Sequence, residues 1–425
     1  MANKVLITGI GLATPIGIGT KEVFDALCQG RTSMQVVSFD TKNGQRQYIT
    51  GKVPLTLDNF FEHYEKFEHG EGKAKKHDIK NKSCRAAQLA LIAGLYAVRD
   101  AGFDIRREKN VEVMVGSGIG GAEVLEENIV AIDKGETPSY FFIPTAILGN
   151  IGNWIAREFE CDGECLPIAT ACASGTSAIG TGFEHIQIGR CDVVICAGAD
   201  AVSTRAGLIG FGTTCKIGTL SKRVQEPDKA SRPFDKDRDG FVLSEGAGVL
   251  VLESERHFKE RNGKNAYAEI IGYGASTDKG KSLVEPTLET MRLALEKAFP
   301  PGLGPKDVDY VNAHGTSTPI NDPLEVRLYR EFFGEHAKGI YVNSTKSMLG
   351  HGLGAAGAIE AAVTAMSVRH GRIHPTANLE NLDPACEGVR HVVGKAVEAD
   401  IRVAVKSSFA FGGHNAVLVM KRYED

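Results

Sequence analysis

The sequence carries little net charge of either sign: 49 basic side chains stand against 53 acidic ones, a formal charge of −4 over 425 residues. That balance gives no whole-protein field for drawing in nucleic acid or an anionic membrane surface, and neither is expected as a partner. No apolar run approaches the ~20 residues that span a bilayer. Met1-Ala2-Asn3-Lys4 leads straight into the strand-like Val5-Leu6-Ile7, so no signal peptide is expected. Low-complexity segments, charge blocks and an evident linker are also lacking. Cysteines number nine, an odd count, and Cys172, Cys191 and Cys196 lie in apolar stretches. A disulfide framework is therefore not expected, and a reducing cytoplasm is. Glycine, by contrast, is plentiful: 49 residues spread along the chain point to tight backbone turns rather than a flexible tail.

Short apolar, β-branched runs at 5–7, 111–115, 193–196, 249–252, 308–311, 340–342 and 416–420 alternate with helical patterns, among them 82–101, 175–188, 286–298 and 355–370. Strands alternating with helices predict an α/β fold with buried, largely parallel sheets. The length suits two fused domains of roughly 200 residues each. Residues 241–252 and 408–420 each read as a glycine-rich turn followed by a buried strand, and each closes about half of the chain. Two fused copies of one α/β unit, 1–255 and 256–425, account for both the echo and the length.

Gly116-Ser117-Gly118-Ile119-Gly120-Gly121 fits the dinucleotide-binding glycine pattern, but the acidic residue that should end a second strand ~20 residues later is replaced by a loop. Close packing is the better reading of those glycines. Cys161 and Cys165 have no second pair at zinc spacing, so no metal is expected. In the run 166–180 an apolar strand turns at Cys172 straight into a helix whose first turn holds only small residues. A thiol at a helix N-terminus feels the positive end of the macrodipole, which favours the thiolate. A buried structural cysteine is the competing reading. His314 follows one buried strand in a turn rich in glycine and hydroxyls, and His351 follows another, five residues after Lys346. Three such strand-to-helix junctions predict a site, because in parallel α/β sheets ligands bind at the carboxyl ends of strands.

Thr170-Ala171-Cys172-Ala173-Ser174-Gly175, the run 231–242, Asn312-Ala313-His314-Gly315-Thr316-Ser317-Thr318-Pro319, Ser344-Thr345-Lys346-Ser347-Met348, Gly350-His351 and Phe409-Ala410-Phe411-Gly412-Gly413 occur in that order. With these motifs the sequence resembles, over nearly its whole length, the elongating β-ketoacyl-carrier-protein synthases of the thiolase-like fold. The resemblance implies a five-layered αβαβα architecture of two similar halves, with the nucleophile in the first and the histidines and lysine in the second. It implies a decarboxylative Claisen condensation of fatty-acid type, with no cofactor. Cys172 would carry the acyl chain, His314 and His351 would donate to the malonyl thioester carbonyl, and Lys346 would steady them. Glu360, Thr316, Thr318 and Asp322 would support this set, and the N–H groups of Cys172 and Phe411 would form the oxyanion hole. Ile119, Phe142 (across a dimer interface) and Phe211 would line an acyl tunnel, with Phe409, Ala410 and Phe411 as its gate.

The implied partners are an acyl carrier protein bearing acyl and malonyl groups and a second copy of the chain; a heterodimer with a related subunit is the alternative. Lys73, Lys75, Lys76, Lys80, Lys82 and Arg85 cluster around the start of a helix, and are expected either to dock the acidic carrier or to form a plain solvated face. Two other functions compete: a ketosynthase of a specialised type II polyketide or polyene pathway, and a non-catalytic partner resembling a chain-length factor. The latter lacks the active cysteine, so Cys172 with two histidines disfavours it. Departures from the family pattern are Ala410 before the gate phenylalanine, His414 after the glycines, the loop 277–286 containing Lys279, Gly280 and Lys281, Leu349 before the Gly350-His351 pair, and Ser244. Those at the gate and its neighbouring loop suggest an altered acyl preference.

Overall fold

Ten strands carry the architecture: β1 (Val5–Thr14), β2 (Glu112–Gly116), β3 (Cys165–Ile168), β4 (Val193–Asp200), β5 (Gly246–Ser254), β6 (Ala268–Thr277), β7 (Tyr310–Asn312), β8 (Tyr341–Asn343), β9 (Val403–Phe409) and β10 (His414–Lys421). The computed structural model describes residues 3–41, 44–65, 67, 76–214, 219–280, 282 and 284–424. The first five strands lie side by side in the order β3-β2-β4-β5-β1 and the last five in the order β8-β7-β9-β10-β6. In both sets the first three are mutually parallel and the next two antiparallel. The orders and senses are identical. β1 and β6 pair antiparallel through Val5–Ile270, Leu6–Glu269 and Ile7–Ala268, joining the two sets edge to edge about a pseudo-twofold.

Layering follows from which helix faces are apolar. Helices α1 (Arg85–Ala101) and α3 (Leu288–Ala298) cover the outer faces, α1 on β1, β4 and β5 and α3 on β6 and β10. Between the sheets, α2 (Ser174–Gln187) and α4 (Gly354–His370) pack on each other and on strands of both sets. Residues 354–368 of α4 are buried on every side, as a helix in a central layer must be. The result is five layers, αβαβα. The duplication reaches single residues: a Cβ at Gly11 of β1 would overlap the Ala93 carbonyl of α1, and one at Gly274 of β6 would overlap the Ala294 carbonyl of α3. Gly116 likewise sits against the Ser174 backbone, which accounts for a glycine of the dinucleotide-like motif by close approach. Among the described residues, no helix is long and apolar enough to cross a membrane.

Candidate active site

Cys172, His314, Lys346, His351 and the segment Phe409–Phe411 all follow the carboxyl ends of parallel strands, β3, β7, β8 and β9. The turn before α2 is tight. Ala171 adopts the left-handed region at φ 49°, a conformation costing an L-residue on the order of 1 kcal/mol. Ser174 holds it, accepting the Thr170 N–H at 2.9 Å and donating to the Ala171 carbonyl at 2.6 Å. The matching junction before α4 has Leu353 at the same φ of 49°. There Asp200, at the end of β4, accepts the Gly354 N–H at 2.6 Å while also binding the Ser117 hydroxyl at 2.7 Å and the Gly118 N–H at 2.8 Å.

The electrostatics centre on buried Lys346. Its ammonium donates to the Glu360 carboxylate, to the His314 carbonyl at 2.8 Å and to His314 Nδ1 at 3.3 Å. An ammonium has no lone pair, so His314 Nδ1 is the acceptor and the ring proton is assigned to Nε2. The Leu353 N–H donates to His351 Nδ1 at 3.3 Å, which assigns that ring proton to Nε2 as well. Burial, followed by the charge of Lys346, holds both imidazoles well below the usual histidine range. Both are therefore neutral donors. Their ring centroids are 5.5 Å apart and nearly perpendicular.

Burial pushes the Cys172 thiol up to about 12, against the pull of Lys346 and of the Phe411 and Cys172 N–H groups. This differs from the thiolate expected at a helix start: in a fully enclosed site desolvation outweighs the macrodipole, and the thiol keeps its proton. The two N–H groups that favour the anion at this sulfur are the pair expected as the oxyanion hole.

A cavity of 290 Å³ joins these groups, lined by Cys172, His314, His351, Phe409, Ala410 and Phe411 and, toward its outer part, by Thr316, Thr318 and Ile320. Thr316 and Thr318 hydroxyls lie 2.8 Å apart. Asp322 stands behind the wall, accepting the Phe234 and Ser317 N–H groups at 3.0 and 3.1 Å, and burial raises its carboxyl to about 6. Ile119, Phe142 and Phe211 do not line the cavity. Phe211 is one ring removed: it packs 5.7 Å from Phe241, which in turn lies 5.3 Å from His351. At the gate, Ala410 is extended at φ −105°, so its Cβ meets no backbone strain; the left-handed positions belong to Gly412 and Gly413, at 79° and 77°. The Asp278 N–H donates to the Gly413 carbonyl at 2.9 Å, tying the loop after β6 to the gate. Lys281 lies outside the described residues.

The basic cluster is only partly available. Arg85 turns inward to Glu245 at 2.7 Å and the Val53 carbonyl at 3.0 Å. Lys82 pairs with Asp78 at 2.6 Å and covers the Phe141 ring at 4.9 Å, whereas Lys80 is exposed. Lys73 and Lys75, and the side chain of Lys76, lie outside the described residues. Sequence reasoning missed two buried groups. Glu325 grips the histidine turn through the N–H groups of His314 and Gly315 at 2.7 and 2.8 Å. Lys406 places its ammonium 2.8 Å from Glu360 Oε2, a contact of charge rather than of well-directed hydrogen bonding. A lone lysine directly after the apolar run 403–405 was the signal for the second.

Comparison with known proteins fits this geometry. The model of the beta-ketoacyl synthase N-terminal domain matches residues 2–257, and that of the C-terminal domain residues 267–380. The 3-oxoacyl-acyl-carrier-protein synthase 2 of Coxiella burnetii is 37% identical over 435 residues, spanning 100% of this chain and 99% of the relative. The synthase of the same name from Staphylococcus aureus is 37% identical over 432 residues, 99% of each. Among solved structures, a beta-ketoacyl synthase from Burkholderia phymatum superposes with a TM-score of 0.84 at 30% identity, covering 99% of this chain and 100% of that one. A type II polyketide ketosynthase in complex with its acyl-carrier protein gives 0.83 at 27% identity, with 100% of both chains covered.

Proposed function

The chain belongs to the β-ketoacyl synthase family, and on that premise we propose that it condenses a Cys172-bound acyl chain with malonyl-carrier protein in fatty-acid-type elongation. In the first half-reaction the Cys172 sulfur attacks the acyl thioester of the carrier, the N–H groups of Cys172 and Phe411 hold the oxyanion, and the thiol proton ends on the departing carrier thiol. In the second, the malonyl thioester carbonyl lies against the Nε2–H groups of His314 and His351. The carboxylate leaves as carbon dioxide, its electron pair becomes the enolate, and the α-carbon attacks the acyl group. Cys172 departs as thiolate and takes a proton from water. Lys346, held by Glu360, keeps His314 oriented as a donor. The observation that carries this reading is the pair of buried imidazoles whose Nδ1 atoms face Lys346 and the Leu353 N–H, leaving Nε2 of each as the donor, both lining the cavity with Cys172.

The partner is an acyl carrier protein, and we place its docking on the exposed Lys80 with Lys82, in the cytoplasm. Residues 1–255 and 256–425 are the two units. A second copy of this chain fits the apolar face of the adjoining helices Ala122–Asp133 and Phe142–Ala146, where Tyr140 is 98% and Ile143 61% exposed. Phe142 would reach the acyl tunnel across that interface, with Ile119 and Phe211 as further tunnel lining. The polyketide alternative has less support: the type II polyketide ketosynthase and a solved ketosynthase/chain length factor share 27% and 30% identity, against 37% for the synthases named above. Intact-mass analysis after incubation with a panel of acyl-carrier proteins tests the reading. Saturated acyl groups should add to the parent and not to Cys172→Ala. Exclusive loading of polyenoyl or poly-β-keto groups would move the protein to the alternative pathway.

A further inference from the structure

Glu360 is shared by two buried lysines. Lys346 binds one oxygen, and Lys406, fully buried in the middle of β9, lies 2.8 Å from the other. The Lys406 ammonium also donates to the Ser407 carbonyl at 2.6 Å and to the Ser408 hydroxyl. Ser408 meets the Thr176 hydroxyl at 2.9 Å on α2, the helix that begins just after Cys172. One side chain thus connects the strand leading to the gate, the lysine behind His314 and the helix of the nucleophile.

Charge explains what it does there. Two carboxylates stand behind the histidines: Glu360, and Glu325 on the helix Asn321–Phe333, which also accepts the Tyr329 hydroxyl at 2.6 Å and the Ser407 hydroxyl at 3.0 Å. Lys346 balances only one of them. We propose that Lys406 is a positioning residue for the condensation: it balances the second carboxylate and fixes Glu360, so that His314 and His351 stay uncharged donors with Lys346 held against His314.

The remaining titratable groups nearby do not replace it. Asp322 is committed to two N–H groups and lies 3.9 Å from Arg238, while burial lowers His374 to about 4 and keeps it neutral. Cys172 holds its proton. After burial, Lys346 and Lys406 are both among the charges that lower the two histidines. Burial also brings the Lys406 ammonium itself down to about 8, so it is charged at neutral pH and discharges in mild alkali.

The proposal rests on the histidines acting as donors to substrate, and the experiment separates the two. Decarboxylation of malonyl-carrier protein is followed against pH for the parent, Lys406→Met and Lys406→Arg. Removing a cation beside a base makes the base easier to protonate, so the acid limb in Lys406→Met should move up by about one pH unit. Lys406→Arg should restore it. An acid limb superimposable on the parent's would overturn the proposal. A second measurement covers a Lys406→Met chain that fails to fold. Nitrogen NMR of histidine-labelled parent enzyme should show both imidazoles neutral and protonated on Nε2 at neutral pH and still neutral below the ordinary histidine midpoint. A charged ring at neutral pH would overturn the proposal. The NMR reading needs no turnover, so a parent that fails to decarboxylate malonyl-carrier protein would remove the functional reading alone.

Discussion

In the proposed mechanism His351→Ala removes one of two donors to the malonyl carbonyl while leaving Cys172 and both N–H groups of the proposed oxyanion hole in place. The imidazole is preorganised: its Nδ1 is occupied by the Leu353 N–H at 3.3 Å, and its ring rests 5.3 Å from Phe241 and 5.5 Å from His314. Its Nε2–H is thereby left free toward the cavity, where the proposed enolate would develop, without reorganisation. Losing one such donor costs on the order of 10²–10³ in rate, about 3–4 kcal/mol of transition-state stabilisation. The loss should fall on carbon dioxide release from malonyl-carrier protein. Acyl transfer to Cys172, read by intact mass, should change no more than about threefold, because the oxyanion hole of that step is built from backbone. Cys172→Ala should show the converse: no acyl-enzyme, with decarboxylation retained. The reasoning fails if His351→Ala slows acylation and decarboxylation to the same degree with the fold intact by circular dichroism. Covalent acyl-enzyme in Cys172→Ala would sink the nucleophile assignment itself.

Acid should destabilise the fold through its buried imidazoles. His374 is fully buried, with Nδ1 2.8 Å from the Pro375 carbonyl, Nε2 3.0 Å from the Thr345 hydroxyl, and its titration lowered to about 4 by burial. An unfolded histidine binds its proton near 6.5, so the unfolded state takes up more protons below that pH. The stability is complete above about 6.5 and lost as pH falls toward 4, by about 3 kcal/mol for this group, with His314 and His351 acting in the same direction. Thermal unfolding at neutral and mildly acid pH checks this, and a midpoint that does not fall across the window refutes it. For the proposed contact with a second copy, Ile143→Asp should give monomers by light scattering, since a charge would be desolvated within the apolar face; an unchanged dimer, or a monomeric parent, would reject that face.

What the sequence made legible was whatever depends on chain order. Cys172, His314 and His351 could be located because each follows an apolar run and enters a glycine- or hydroxyl-rich turn, and β-sheet topology then brings such turns to one cavity. The echo between 241–252 and 408–420 could be read because β5 and β10 occupy the same place in their sheets, each carrying the same pairing on both sides. What stayed hidden depends on direction and on charge summed over distant elements. Arg85 looks like surface in sequence, yet the partner that draws it inward, Glu245, is 160 residues away. Phe211 looks like tunnel lining, but Phe241 stands between it and His351. The burial that pushes the Cys172 thiol up stayed hidden because a helix terminus is visible in sequence and the enclosure that opposes it is not. Lys406 is the sharpest case: β-strand spacing can say that its side chain points inward, but its partner Glu360 lies on another element, and the second carboxylate it balances on a third. Only the assembled site shows two ammoniums against two carboxylates. Burial comes first in keeping the histidine pair neutral, and the charges gathered behind it, Lys346 just past β8, Lys406 on β9 and the carboxylates of Glu360 and Glu325 on two helices, come from segments no one of whose motifs contains the arrangement.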